Sequence, residues 1–431
     1  MQRVTRVTLP TQPDATGPRG VPALGLGDLR NAVLWVLAIV PSAFGFWLVA
    51  GDVVGVPPGR RAEFLLAALL TLGLATIAQV ALGYRLALYE GPAAGYLAAV
   101  IVVAGGGHGL AEITGGMLVA GATVIALGLL GFDRLLLRIF TPLTGMVFVL
   151  VVTVAVMPTT LERAVAAGGA HPLGTAAGWI TATATLATGI ALGRRRGLRP
   201  YALLGALLVG AGVSVIVDGV PHADLSGGLA APPLLPWGAP QFSLAVAIPF
   251  VIGAAIVAFN TVAAIEIASD ATGRPRAHRA TARGLVVHGG AQMTGAALGN
   301  VLGTVGRLDS LPIAGLLGTY RRAPLALAAL LVLGLAFIQP FLALVAALPL
   351  SVSATLLAFM LGTMIVTTAR RLWPLGPAAR TVAAAALVPA VAWAPLQGSL
   401  SATVQLVANP MLWGVAMGLV LEWWFAGRRN A

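Results

Sequence analysis

The sequence contains no cysteine and no lysine, so all 26 of its basic residues are arginine. Without cysteine, the chain has neither disulfide bonds nor thiolate metal ligands. Charged residues of any kind make up only 9% of the 431 residues, whereas a soluble protein carries roughly 25%. With so few charges and a mean hydropathy of +0.93, the chain lacks the polar surface that a soluble domain needs. These deficits predict a membrane protein.

Sequence motifs of enzymes and of nucleic-acid-binding proteins are also missing. The chain has no P-loop of the form GxxxxGK[ST] and no HExxH zinc motif. The formal net charge is +12, but the arginines are scattered between apolar runs and form no basic domain, which argues against a nucleic-acid partner. A membrane-embedded enzyme is disfavoured because the ionisable residues show no nucleophile–base pairing. We therefore expect neither catalysis nor a bound cofactor or metal.

Apolar runs long enough to cross a bilayer recur along the chain. A spanning helix needs about 20 mostly apolar residues. On that basis the sequence predicts an all-α polytopic membrane protein with fourteen segments. They lie near 31–50, 62–83, 90–105, 110–131, 135–157, 173–193, 198–217, 241–268, 284–303, 309–319, 323–339, 341–368, 379–395 and 403–425. The polar, Pro/Gly-rich residues 1–30 are predicted to form a disordered cytoplasmic tail.

The positions of the arginines predict how these segments are oriented. Loops on the cytoplasmic side of a membrane protein carry an excess of basic residues. If the N-terminus is cytoplasmic, fourteen segments place all but four of the 26 arginines on the inner side. Three of those four, Arg60, Arg61 and Arg163, lie on the outer side, and the outer loop 218–240 has no arginine. The sequence therefore predicts that both termini are cytoplasmic.

The third and tenth segments are too short to cross alone and are interrupted by glycine and proline. They read RLALYEGPAAGYLAAVIVV and VLGTVGRLDSLPIAGLLG. In each, an extended stretch leads to an acid, Glu90 or Asp309, and then to a proline and a short helix of small residues. Each is the third segment of its half, which predicts inverted repeats of seven segments over 31–217 and 241–425. The N-termini of the two half-helices would offer N–H groups to a ligand.

Few ionisable side chains fall inside the predicted segments, where such groups are usually functional. Glu266 and Asp270 are four residues apart, on one helix face. Glu266 is the candidate proton carrier, and Asp270 belongs either to the site or to the membrane surface. Asp309 either faces a substrate or caps its half-helix and pairs with Arg307, which otherwise binds an anionic substrate. Glu90 either lines the substrate site or caps the entry to its helix.

These segments resemble the nucleobase–ascorbate transporter family, which includes the uracil and xanthine permeases. IEIASDATG resembles the family's segment with two polar residues four apart, which places Glu266 on a substrate-binding glutamate. DSLPIAGLLGTYRR resembles its acid–Asn–x–Gly motif, which places Asp309 on a second substrate-binding carboxylate, although Ser310 and Pro312 replace the Asn and Gly. LYEGPAAGY resembles its strand-to-helix turn, and the residues that would line the site there are Glu90, Gly91, Ala93 and Ala94.

The resemblance implies a secondary transporter of the cytoplasmic membrane with two domains. Segments 1–4 and 8–11 would form a core domain, and segments 5–7 and 12–14 a gate domain through which family members often dimerise. The implied function is symport of a nucleobase with a proton, or with sodium as the coupling ion. Glu266 and Asp309 would bind the base, together with backbone N–H groups near Ala93, Ala94 and Ser310. The alternative is a carrier of the same fold that binds sulfate, bicarbonate or a carboxylate through Arg307.

Overall fold

A computed structural model describes the chain over residues 25–132, 142–166, 174–221, 223–272, 278–396 and 410–427. Nearly all secondary structure in these ranges is helical. The helices, numbered in chain order, are α1 (Leu26–Val53), α2 (Arg61–Ala81), α3 (Ala94–Gly105), α4 (Leu110–Leu129), α5 (Pro142–Ala166), α6 (Ala176–Gly193), α7 (Ala202–Asp218), α8 (Leu244–Thr272), α9 (His278–Leu298), α10 (Ser310–Leu316), α11 (Arg322–Ala336), α12 (Gln339–Ala346), α13 (Leu350–Leu372), α14 (Pro377–Leu396) and α15 (Pro410–Gly427). Two short strands, β1 (Glu90–Gly91) and β2 (Val305–Gly306), interrupt this series.

Eight segments in the described part of the chain are long and apolar enough to cross a membrane, judged by length and composition. By contrast, α3 has only 12 residues and α10 only 7, and each follows a strand. The structure therefore has a strand and a short helix at each of the two positions where the sequence predicts an interrupted segment.

Several predicted boundaries differ from the helices, including those of α9, which spans His278–Leu298 rather than 284–303. The predicted segment 341–368 is two helices, α12 and α13, because Pro349 lacks an N–H and disfavours helical backbone at the residue before it. Conversely, α5 continues past Pro158 to Ala166 instead of ending at 157, since neighbouring helices let a membrane helix tolerate an internal proline. The prediction that this segment begins at 135 lies outside the described residues. Helix α1 begins at Leu26, inside the predicted tail.

Helix α1 runs through the largest apolar core. Its side chains Trp35, Phe46 and Trp47 are at most 1% exposed. It packs against α3, α11 and α13. A separate, smaller apolar cluster joins α5 to α13 and α14. Helix α1 therefore forms one wall of the space in which α3 and the strands lie.

Helices α4 and α9 approach each other closely where two glycines face one another. A Cβ atom added to Gly121 would lie 2.8 Å from the carbonyl oxygen of Gly289. A Cβ atom added to Gly289 would lie 2.9 Å from the backbone nitrogen of Ile125 and would also touch the carbonyl oxygen of Gly121. Real Cβ contacts to backbone are not this short, so the crossing requires glycine at both positions.

We expect Gly289→Ala to lower the apparent melting temperature of the protein in detergent. An added methyl group in a tight contact costs about 1–3 kcal/mol, which outweighs the gain of about 1 kcal/mol in helix propensity. Gly290→Ala is the matched control, because a Cβ there would meet nothing within 4 Å. If the two variants melted at the same temperature, the close helix crossing would be wrong.

Candidate functional site

The two strands pair with each other, and their residues are buried among the surrounding helices. They are antiparallel, with Glu90 opposite Gly306 and Gly91 opposite Val305. Each strand is followed within a few residues by a short helix, α3 after β1 and α10 after β2. Because side chains alternate along a strand, residues 89 and 90 point to opposite faces of this pair. The face that carries the Tyr89 side chain is called the front face, and the other the reverse face.

Three polar side chains meet on the front face. The Arg307 guanidinium donates to both carboxylate oxygens of Asp309, from Nη2 to Oδ2 at 2.9 Å and from Nε to Oδ1 at 3.3 Å. The Tyr89 hydroxyl donates to Oδ2 of Asp309 at 3.0 Å. This bidentate contact fixes the orientation of the carboxylate and also balances its charge.

Arg307 is held from several sides. The aliphatic part of its side chain passes close to Gly91. A Cβ atom added to Gly91 would lie 3.0 Å from Cγ of Arg307 and 2.9 Å from Cε2 of Tyr89, so only glycine leaves enough room there. Its Nη1 lies 3.4 Å from the carbonyl oxygen of Pro92, and its guanidinium carbon lies 5.8 Å from the ring centroid of Phe46. As a result the Arg307 side chain is only 14% exposed, whereas the Asp309 side chain is 41% exposed. The carboxylate is thus the more accessible group of the pair.

The half-helix α10 begins without a side-chain cap. Asp309 occupies the N-cap position, but its side chain makes no capping hydrogen bond and binds Arg307 and Tyr89 instead. The Ser310 hydroxyl accepts from the Tyr89 N–H at 3.0 Å, and the Ser310 N–H donates to the Arg307 carbonyl at 3.2 Å. The predicted capping by Asp309 is therefore wrong, because the ion pair with Arg307 uses its side chain, whereas the predicted pairing with Arg307 is present.

The half-helix α3 begins at Ala94, with Ala93 at its N-cap. The first hydrogen bonds of the helix are donated by the N–H groups of Tyr96 and Leu97 to the Ala93 carbonyl. The N–H groups of Ala94 and Gly95 lie before these bonds and have no carbonyl partner within the helix. Pro92 lies before α3, whereas Pro312 lies in the first turn of α10.

Glu90 lies on the reverse face, away from the Arg307–Asp309 pair. Its Oε1 accepts from the Tyr84 hydroxyl at 3.1 Å, and its Oε2 lies 3.2 Å from Nδ1 of His288. Its N–H donates to Oγ1 of Thr76 at 3.0 Å. The Glu90 and His288 side chains are both fully buried. The structure thus separates the Glu90 side chain from Arg307 and Asp309.

Glu266 lies on α8, which packs against β2. The neighbouring Ile265 belongs to an apolar cluster that includes Leu311 of α10. The Glu266 side chain is partly buried. Asp270 follows on the same helix, but its side chain lies outside the described part of the structure.

Of the predicted site residues, the structure brings Gly91, Arg307, Asp309 and Ser310 together on the front face, with Ala93 and Ala94 at the start of α3 beside them.

Sequence reasoning missed Tyr89, Tyr84 and Phe46. Tyr89 directly precedes the predicted acid, so period-two alternation would have assigned it to the face opposite Glu90. The pairing of His288 with Glu90 had no sequence signal, since the two residues are 198 positions apart. Within the described residues, His, Asp and Glu side chains form no group of three that could hold a metal ion.

Comparisons with known proteins agree with a membrane transporter. A family model described as a permease family, of the xanthine and uracil permease type, matches residues 34–373. No curated protein matches the chain. Among solved structures, the transmembrane domain of a cyanobacterium bicarbonate transporter, BicA, is similar with a TM-score of 0.65 and 18% identity, over 89% of this chain and 97% of that one.

A second similar structure is the murine solute carrier 26 family member A9 anion transporter in the inward-facing state. It has a TM-score of 0.66 and 15% identity, over 95% of this chain and 69% of that one. At such low identities the likeness concerns the fold alone. The fold is that of a multi-pass membrane transporter.

We expect Asp309→Ala to lower the melting temperature in detergent more than Arg307→Met does. Alanine leaves a guanidinium that is 14% exposed without its partner, whereas methionine leaves a carboxylate that is 41% exposed and can be solvated. Breaking a buried ion pair from one side costs about 3–5 kcal/mol, and the exposure of Asp309 reduces the expected cost to about 1–2 kcal/mol. Equal losses in the two variants, or a larger loss in Arg307→Met, would contradict the described burial.

Proposed function

This chain belongs to the xanthine–uracil permease family, and from that membership we propose that it is a secondary transporter that carries a nucleobase across the cytoplasmic membrane. The base would bind on the front face of the strand pair, against Asp309. A proton moving down its gradient would drive uptake.

The accessible carboxylate of Asp309 is the observation that carries this proposal. An ionised carboxylate only accepts hydrogen bonds, and its two oxygens offer about four acceptor sites, of which Arg307 and Tyr89 use three and leave one on Oδ1 for a ligand N–H. A nucleobase presents N–H donors on its edge, and charge-assisted hydrogen bonds of this kind are stronger than neutral ones. Tyr89 and Arg307 already orient the carboxylate, so a ligand would meet an acceptor that needs little rearrangement. The N–H groups at the start of α3 would then donate hydrogen bonds to the carbonyl oxygens of the base.

Glu266 is the proposed second contact and the proposed carrier of the coupled proton. It is partly buried on α8, the helix that packs against β2. It lies inside an apolar membrane segment, where ionisable side chains are rare and usually functional, so we infer that it binds and releases the coupled proton. Asp270, one turn later, would assist proton exchange. Glu90 is left out of the contact set because its side chain lies on the reverse face.

The proposed architecture is a pair of inverted seven-segment repeats over residues 31–217 and 241–425, joined by the loop 218–240. The antiparallel pairing of β1 with β2 supports it, since a twofold axis in the membrane plane would relate two such strands in this way. Segments 1–4 and 8–11 would move as a core against a gate of segments 5–7 and 12–14. We place both termini in the cytoplasm, and a homodimer would form through the gate.

A carrier of small anions is the second candidate. The fold is similar to that of a bicarbonate transporter and of an anion transporter, and Arg307 lies at the front face. However, Arg307 already donates to Asp309 and is mostly covered. An anion would have to compete with a carboxylate that is fixed beside the guanidinium, which makes this candidate the weaker one.

We expect Asp309→Asn to reduce nucleobase uptake about tenfold to a hundredfold. The amide keeps the shape of the side chain but replaces charged acceptor contacts, worth about 1.5–3 kcal/mol each, by neutral ones. Uptake of radiolabelled uracil and xanthine into proteoliposomes with an inward proton gradient measures this loss. Glu63→Gln is the control, because Glu63 is 44% exposed and pairs only with Arg60 at the start of α2 among the contacts described.

In the same assay Glu266→Gln should abolish the dependence of uptake on the proton gradient. If the variant still accumulated the base to the wild-type level when a proton gradient was applied, Glu266 would not be the residue that couples transport to protons. Uptake of bicarbonate or sulfate that is lost in Arg307→Met, without base uptake in the wild type, would establish the second candidate instead.

A further inference from the structure

The reverse face of the strand pair holds a closed cluster of ionisable side chains that the proposed substrate contacts do not use. Its centre is the Glu90–His288 pair, with 3.2 Å between Oε2 and Nδ1 and no exposure of either side chain. The Tyr84 hydroxyl lies 3.1 Å from the other oxygen of Glu90. Nε2 of His288 is buried and has no hydrogen-bond partner among the described residues. The cluster is therefore sealed from water on this side of the strands.

The described side chains that lie around this pair are neutral or weakly acidic groups. The turn after α2 contributes Tyr84, and α3 contributes Tyr96, whose buried hydroxyl lies within electrostatic reach of Glu90. Helix α2 contributes the Thr76 hydroxyl. Helix α8 contributes Thr261, which lies with Glu90 and Tyr84 around the position that a Gly306 side chain would fill. The charged residues Arg307 and Asp309 neutralise each other on the front face.

This setting favours one particular proton count. A carboxylate beside a neutral imidazole carries a net charge of −1, and the described groups around the pair include no cation that balances it. The pair becomes neutral when it takes up one proton beyond the N–H of the neutral imidazole, so that either both ring nitrogens of His288 or Oε2 of Glu90 carry a proton. Since an unbalanced buried charge is strongly unfavourable, the closed cluster should retain that proton.

Strand β1 connects this cluster directly to the front face. Residues 89 and 90 are neighbours, and they point to opposite faces. The Tyr89 backbone accepts from the Arg307 N–H at 3.0 Å and donates to the Ser310 hydroxyl at 3.0 Å, while its side chain holds Asp309. A displacement of β1 that opened the reverse face would therefore also disturb the front site.

We propose that the Glu90–His288 pair is a buried proton-binding site that is coupled to the substrate site through residues 89 and 90. The pair takes one proton from water as the strands close over it, and it returns that proton when the reverse face opens to water. This inference rests on the proposed transport function for its role in the cycle, where it adds a proton site distinct from Glu266. Its existence as a proton site can be tested without any substrate.

The first experiment measures thermal unfolding of the purified protein in detergent between pH 6 and pH 9, without ligand. In an unfolded chain, histidine titrates at about pH 6.5 and glutamate at about pH 4.3, so well above pH 6.5 the unfolded pair carries no proton beyond the N–H of the neutral imidazole. The proposal requires that the folded pair carries one such proton. Wild-type stability should therefore decrease as pH rises, with a tenfold increase in the unfolding constant per pH unit from this proton.

Glu90→Gln should remove that contribution, because glutamine beside a neutral imidazole needs no proton to be neutral. If Glu90→Gln folds poorly, the Glu90→Gln/His288→Asn double variant replaces both groups by amides that can bond to each other, and it should show the same flattened dependence. His108→Asn/Glu112→Gln is the matched control, because that pair has the same residue types but is about a quarter exposed. It should change the slope much less. Parallel pH dependences in wild type and both Glu90 variants would overturn the proposal.

The second experiment measures uptake of uracil and xanthine by the same variants as a function of external pH. Coupling predicts a flatter pH profile for Glu90→Gln, whereas a profile of wild-type shape would contradict the coupling. If the wild type transports neither base, the proposed function fails, but the unfolding experiment still decides whether the pair binds a proton. The two failures are thus distinguishable.

Discussion

Four strand residues in the interior of this protein fix the relative positions of the charged groups on the two faces of the strand pair. Backbone N–H and C=O groups inside a membrane must find partners within the protein, and the β1–β2 pairing provides them where the chain is neither helical nor exposed. The pairing also brings residue 89 against residues 307, 309 and 310, which lie in the other half of the sequence. Both half-helices start from this junction, so their orientation follows from it.

The same junction explains why a membrane protein with so few charges keeps an arginine and an aspartate two residues apart in its interior. Arg307 closes the ion pair, lies along Gly91 and faces Phe46, so its positive charge is matched locally. Asp309 shares that pair but remains accessible. In the proposed function the arginine orients an acceptor for N–H donors and is not itself a binding group, although the fold is similar to that of anion transporters.

The sequence predicts the interrupted segments because glycine, proline and an acid within an apolar run disfavour a continuous membrane helix. It does not predict which face of a two-residue strand meets which partner, because that depends on a pairing between residues more than 200 positions apart. Glu90 and Asp309 therefore look equivalent in sequence, but only Asp309 faces the front. The predicted end of α5 is wrong for a different reason, since Pro158 interrupts helices in water but is accommodated here among packed neighbours.

The central claim is that the front face binds a neutral nucleobase through Asp309. The most direct measurement is a thermal-shift screen of the wild-type protein in detergent with uracil, xanthine, hypoxanthine, urate, sulfate and bicarbonate at two pH values. A ligand that binds the folded state raises the melting temperature by mass action. We expect one or more of the neutral bases to stabilise the protein and the inorganic anions to leave it unchanged. Stabilisation by sulfate or bicarbonate alone would contradict the account and make Arg307 the binding group.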